Sequence, residues 1–208
     1  MSVELPTRAQ VVVVGGGIIG ASLAYHLTKR GITDVLLLEQ GQLTGGTTWH
    51  AAGLVSQLKP THSLTKLATY SNRLFEELED ETGQATGYRA PGSISVASDL
   101  ERWEEMRRGI SMASTVGVEI REIDMDELTD KVPLLRTDDL VGALYIPKDG
   151  QTSPVDTTMA LIKGARQGGA TVVEGVAVQR LLKNGDTCVG IETEDGHVVE
   201  AETVFMAA

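Results

Sequence analysis

Gln10-Val11-Val12-Val13-Val14-Gly15-Gly16-Gly17-Ile18-Ile19-Gly20 is the stretch that decides the fold. Its four consecutive valines suit a strand buried on both faces, as in a parallel sheet. Ile19, Leu23 and Leu27 then recur at a spacing of four and give one face of a helix. Lys29-Arg30-Gly31 closes that helix, with cations at the negative end of its dipole and a glycine after them. Val35-Leu36-Leu37-Leu38 is a second buried strand, ending at Glu39. Strand, glycine-rich turn, helix and strand in this order make a βαβ unit.

Gly15, Gly17 and Gly20 fill the three glycine positions of G-x-G-x-x-G. The first permits a tight turn, the second lets backbone approach a pyrophosphate, and the third lets helix pack against strand. The amides of Ile18 and Ile19 open the helix, where its dipole stabilises an anion. Glu39 follows Gly20 by about 20 residues, where a carboxylate accepts a hydrogen bond from a ribose hydroxyl and repels a 2′-phosphate. Taken alone, the glycines fit a turn with no ligand and Glu39 fits an ordinary solvated strand end. The ordered combination favours a dinucleotide site, without separating NAD from FAD.

The following segment separates them. An NAD domain enters its next helix soon after the acid, whereas here Gln40 leads into a loop of small and hydroxylic residues, Gly46-Thr47-Thr48-Trp49-His50-Ala51-Ala52-Gly53-Leu54. Small residues allow close approach of a flat ring, and hydroxyls and amides suit phosphate and ribitol oxygens. This stretch resembles the dimethylglycine and sarcosine dehydrogenases, flavoenzymes of the D-amino-acid-oxidase-like superfamily. Glu39-Gln40, Tyr88-Arg89-Ala90-Pro91-Gly92-Ser93-Ile94, and Asp149-Gly150 followed by Pro154 are similar too, so the resemblance covers the whole chain.

The resemblance implies FAD, bound along Gly15–Gly20, Glu39-Gln40 and Gly46–Leu54, with His50 bonded covalently to the flavin 8α carbon. A neutral imidazole nitrogen is a suitable nucleophile for that bond, although a loop histidine bonded to backbone is the plainer reading of His50 alone. The backbone of Val178 matches the position that holds the adenine ring. The implied activity is oxidative demethylation of N-methylated glycines by hydride transfer to flavin N5. Electrons pass to oxygen or an electron-transfer flavoprotein, and tetrahydrofolate takes the carbon in larger relatives. No catalytic acid or base is assigned within this chain. The alternative is a non-catalytic regulatory relative, similar to the regulatory subunit of pyruvate dehydrogenase phosphatase. An ordinary NAD dehydrogenase is disfavoured by the loop after Glu39.

The 208 residues include 18 basic and 29 acidic side chains, a net charge of −11. That balance argues against nucleic acid or an anionic membrane as partner. It is no objection to phosphate, which local backbone amides would hold. No apolar run approaches the roughly 18 residues of a membrane span. Cys188 is the single cysteine, expected to be a packed thiol, and His26, His62 and His197 share no ligand spacing, so no metal is expected. A strand begins within the first ten residues, which leaves no room for a targeting peptide, and the expected location is the cytoplasm.

Further along, a 3–4 apolar spacing predicts a helix over about 61–82. Ser93–Val96 and Gly142–Ile146 read as strands, a helix starts after Ser98 or Asp99, and Asp124 with Glu127 resembles a capping box. Trp103 on that helix is expected in the core. Ser153-Pro154 opens another helix, and Thr171–Val173 returns to the parallel sheet. Val176–Leu182, Thr187–Thr193 and His197–Val199 read as three short antiparallel strands, turned at Asn184-Gly185 and Asp195-Gly196. Val204–Ala208 reads as a buried strand that ends abruptly with no polar tail, so the chain is expected to be an N-terminal fragment. The predicted fold is α/β: a Rossmann-like FAD-binding domain with a parallel sheet and a small antiparallel β-meander, plus part of an α+β substrate-binding lobe. Residues 1–87 and 148–208 are assigned to the first, and 88–147 to the second.

Overall fold

The computed structural model describes residues 5–208. In chain order the elements are β1 (Arg8–Val14), α1 (Ile18–Lys29), β2 (Val35–Glu39), a 3₁₀ turn (Thr47–His50), β3 (Leu54–Val55), α2 (His62–Thr82), β4 (Ser93–Ala97), α3 (Leu100–Thr115), β5 (Arg121–Ile123), α4 (Met125–Lys131), β6 (Gly142–Ile146), β7 (Gly150–Gln151), α5 (Pro154–Gln167), β8 (Thr171–Glu174), β9 (Val178–Asn184), β10 (Thr187–Thr193) and β11 (Val198–Met206).

They divide into two units. The first holds the chain up to Ala52, Leu78–Gly87 and Ser153–Ala208. Its six-stranded sheet has the order β8-β2-β1-β11-β10-β9. β1 pairs in parallel with β2, and β2 with β8, as the apolar runs predict. Both faces of β1 and β2 are covered: Val12, Val13, Leu36 and Leu37 are at most 1 % exposed. Strand periodicity puts Val12, Val14, Leu36 and Leu38 on one face, where they form a core with Val173, Ile191 and Val199. The opposite face is covered by α1, which packs in turn on α5. Small residues allow that approach; a Cβ on Gly164 of α5 would stand 2.8 Å from the Tyr25 ring of α1.

The strand expected over His197–Val199 and the one expected over Val204–Ala208 are a single nine-residue strand, β11, which ends at Met206. It pairs antiparallel with β10 through Gly190–Glu200 and Glu192–Val198, and in parallel with β1 from Arg8–Glu200 to Val14–Met206. No glycine or proline interrupts Val198–Met206, so the same strand serves the meander and the parallel sheet. Its end is not buried as expected: Phe205 and Met206 are exposed, and Met206 faces the cleft described below.

Buried Tyr25 donates to both oxygens of Glu81, at 2.9 Å each, and Lys29 reaches the same carboxylate at 2.8 Å. Burial alone would raise the Glu81 pKa, but the hydrogen bonds from Lys29 and Tyr25 and the Lys29 charge hold it below 4.5. A depressed carboxylate stabilises the fold above its unfolded pKa and loses that contribution as pH falls through the folded value. Tyr25→Phe is therefore expected to cost about 1 kcal/mol near neutral pH, a modest figure because Glu81 is partly solvated. Urea unfolding should show the difference from wild type shrinking as the pH is taken below about 4.5. A difference independent of pH would sever the effect from Glu81.

The second unit comprises Gly53–Glu77 and Tyr88–Thr152. It contains an antiparallel sheet β4-β6-β5 and the pair β3-β7. Asp99 caps α3 by accepting from the Arg102 amide, and Asp124 caps α4 by accepting from Glu127 N, as the sequence predicts. Trp103, expected in the core, is half-buried and packs against the core formed by Ala97, Met106 and Leu144. The domain boundary differs from the sequence assignment: residues 53–77 and 148–152 fall in this unit. Leu54 and Val55 pair with Gln151 and Gly150, the Gln57 amide donates to buried Asp149 at 2.8 Å, and Asn72 Nδ2 donates to the Lys148 carbonyl at 2.9 Å. These long-range bonds tie the two segments together and leave no trace in local composition.

Candidate dinucleotide site

The carboxyl ends of β1, β2 and β11 meet at a cleft of about 710 Å³ in the first unit. In open α/β sheets this is where ligands bind. Gly15, Gly17, Ile18 and Ile19 line it from the glycine-rich turn, and Glu39 and Gln40 from the end of β2. Gly46, Thr47, Thr48 and Ala51 contribute from the loop, and Val178 from the start of β9.

Local backbone requirements explain the glycines. Gly15 has φ +114°, and a Cβ on it would lie 2.6 Å from the Ala207 carbonyl oxygen. Gly20 does not line the cleft; a Cβ there would sit 1.9 Å from the Gly15 carbonyl oxygen, so its role is the close helix–strand contact. Gly17 caps α1 without a side chain. The cap comes instead from Thr48, whose hydroxyl oxygen accepts from the Ile18 amide at 3.0 Å. The sequence reading left that amide open to an anion; in the structure it has a protein acceptor.

Glu39 does more than its sequence position indicates. One carboxylate oxygen accepts from the Gly16 amide at 2.7 Å, the other from Gly41 at 2.8 Å. It clamps the glycine-rich turn to the loop after β2. Each oxygen has a second lone pair, so a ribose hydroxyl can still be accepted. Glu174 was missed: its carboxylate accepts from the Leu43 amide at 2.6 Å and holds the same loop from β8. The apolar floor residues Val14, Leu38 and Val176 were missed too. The signal available was their place at or next to strand ends, where open α/β sheets bind ligands.

Trp49, His50 and Ala52 are exposed and do not line the cleft. The Trp49 and His50 rings lie against each other, with centroids 4.2 Å apart and planes tilted by 41°. Gly53 and Leu54 belong to the second unit, where Leu54 begins β3. Among the described residues, no group of His, Cys, Asp and Glu side chains is arranged to hold a metal ion.

Comparison with known proteins gives a match to the DAO family of FAD-dependent oxidoreductases over residues 10–208. The chain belongs to this FAD-dependent oxidoreductase family. It is 41 % identical over 197 residues to the mouse (Mus musculus) mitochondrial pyruvate dehydrogenase phosphatase regulatory subunit, covering 95 % of this chain and 22 % of that protein. It is 40 % identical over 195 residues to rat (Rattus norvegicus) mitochondrial dimethylglycine dehydrogenase, covering 94 % and 23 % respectively. The crystal structure of L-proline dehydrogenase from P. horikoshii superposes with a TM-score of 0.91 at 26 % identity, over 98 % of this chain and 54 % of that one. The chain therefore spans about a quarter of the length of these curated relatives.

The family's cofactor fits the cleft by chemistry. The N-terminus of α1 offers amides and a positive dipole end to a pyrophosphate. Glu39 offers acceptors to a ribose, and the turn brings backbone where any Cβ would collide. For Glu39→Ala, FAD binding is expected to weaken by about 1–3 kcal/mol, the scale of lost charge-assisted hydrogen bonds. Titration of flavin into cofactor-free protein measures this. An unchanged dissociation constant would remove Glu39 from the site.

Proposed function

We propose that the protein carrying this chain is an FAD-dependent oxidoreductase that oxidatively demethylates N-methylated glycines, dimethylglycine or sarcosine. The observation that carries this reading is the 40 % identity to rat dimethylglycine dehydrogenase over 94 % of the chain. The Gly46–Leu54 stretch that motivates it runs along the cleft at Gly46, Thr47, Thr48 and Ala51. Bound FAD supplies a two-electron acceptor that takes a hydride at N5 from the carbon next to the amine nitrogen. The chain's own residues bind and orient it. The Gly17 and Ile19 amides and the positive end of the α1 dipole face the pyrophosphate, Glu39 accepts from the adenosine ribose, and Val178 presents backbone to adenine. Gln40, Thr47 and Thr48 supply polar atoms along the cleft.

His50 would hold the flavin by an N–C bond from its imidazole to the 8α-methyl carbon. That bond would replace one methyl C–H and one imidazole N–H, with dioxygen taking up the two electrons and two protons as hydrogen peroxide. The iminium product of the amine hydrolyses to formaldehyde and the demethylated amine, or passes its carbon to tetrahydrofolate in a further region of the protein. Oxygen or an electron-transfer flavoprotein receives the electrons.

A second reading, a non-catalytic regulatory protein, is favoured by the 41 % identity to the mouse regulatory subunit. Two measurements on the full-length protein discriminate. The demethylase reading expects a flavin absorbance near roughly 450 nm that bleaches anaerobically with dimethylglycine or sarcosine, and formaldehyde released in air. Flavin that neither amine reduces, or no flavin, would favour the regulatory reading.

A further inference from the structure

The exposed 3₁₀ turn that carries His50 is anchored at one buried residue. Of Thr47, Thr48, Trp49 and His50, only Thr48 is buried, at 8 % exposure. Its hydroxyl accepts from the Ile18 amide, thirty residues earlier in the chain, and so replaces the cap that Gly17 cannot supply. A Cβ on Gly17 would lie 3.0 Å from that hydroxyl oxygen, so the glycine keeps the approach open. The loop is fastened once more upstream, where buried Thr44 adopts φ +67° and its amide donates to the Gly16 carbonyl at 3.1 Å. A non-glycine residue in that conformation costs roughly 1–3 kcal/mol and persists where surrounding contacts hold it. The loop is thus fixed to the glycine-rich turn by Thr44 backbone and to the first turn of α1 by the Thr48 side chain. His50 follows Thr48 by two residues in the same single turn.

From this the geometry points to Thr48 as a positioning residue for flavin attachment: its hydroxyl, capping α1, fixes the turn that presents His50 to a cofactor held by that same helix end. The inference rests on the attachment proposed above. Forming the N–C bond requires near-contact geometry, and a displacement of about 1 Å in such a step costs on the order of a hundredfold in rate. The bond to Ile18 couples the place of the imidazole to the place of the pyrophosphate. Valine is near threonine in shape but cannot accept from the amide.

The test uses full-length protein produced without flavin, then given saturating FAD in air. The time course of acid-precipitable flavin reads attachment, and the dissociation constant of the initial complex reads binding. Thr48→Val should slow attachment by roughly tenfold or more while still saturating with FAD, and hydrogen exchange at the Ile18 amide should speed up in the flavin-free protein. Thr48→Ser should restore both. Attachment by Thr48→Val at the wild-type rate overturns the inference while leaving the role of His50 standing. Equal slowing in the serine variant overturns it as well, because the hydroxyl is then not what matters. A valine variant that takes up no FAD at any concentration makes Thr48 a binding residue and also overturns it. Wild-type protein that never holds acid-stable flavin fails the attachment reading itself, and the inference falls with it.

Discussion

Gly20→Ala is expected to destabilise the first unit by about 3 kcal/mol and to abolish FAD retention. The added Cβ would stand 1.9 Å from the Gly15 carbonyl oxygen and 3.4 Å from Val13 Cγ1. The first neighbour is backbone and cannot swing away, so α1 must lift off β1. Both sides of the contact are otherwise fixed: Val13 and Ala21 are fully buried, and the Gly15 amide donates to the Leu38 carbonyl at 2.8 Å. Lifting α1 also withdraws its first turn from the cleft, so the stability loss and the binding loss have one cause. Gly109→Ala is the natural control. That glycine lies inside α3, where a Cβ would meet only Leu58 Cδ2 at an ordinary 3.6 Å. There the change should be neutral or should stabilise by roughly 0.5–1 kcal/mol through helix propensity. Urea unfolding and flavin titration of both variants check the pair. Normal FAD retention by Gly20→Ala would show that the turn relaxes and that the close contact is dispensable.

What could be read from sequence follows from the range of the interactions. The β1–α1–β2 unit is legible because each part carries its own signal: a valine run, a spacing of four, glycines at fixed offsets, and an acid at the strand end. The caps Asp99, Asp124 and Ser153 are legible for the same reason, since each acts within three residues of itself. β11 reads as two stretches because Glu200, Glu202 and Thr203 separate the apolar residues at its two ends. Its identity as one strand comes from pairing with β1, nearly two hundred residues earlier. The segment 53–77 packs in the second unit, where it is held by a carboxylate, Asp149, that lies far along the chain. In the site, the ribose acid was legible, but its clamp on Gly16 and Gly41 was not, since backbone amides leave no mark in a sequence. The Thr48 cap was hidden likewise: helix caps are sought next to the helix, and this one arrives from the following loop.

His50→Ala should remove acid-stable flavin from the full-length protein completely, the largest qualitative change expected of any single substitution here. In wild type the flavin should stay with the polypeptide through acid precipitation and migrate with it on a denaturing gel. Between Thr44 and Leu54 the other side chains are aliphatic, hydroxylic or indole, and none is a comparable nucleophile at neutral pH. The imidazole lies on the surface of its turn, with the Trp49 ring beside it. The variant should still bind FAD reversibly, because the glycine-rich turn and Glu39 are untouched. Its activity should fall without vanishing, since the tether adds to a site that already holds the cofactor. Flavin that remains acid-stable in His50→Ala would assign the bond to another residue. Flavin that extracts fully from an active wild-type enzyme would leave His50 as an exposed loop residue beside Trp49, and the covalent reading would end there.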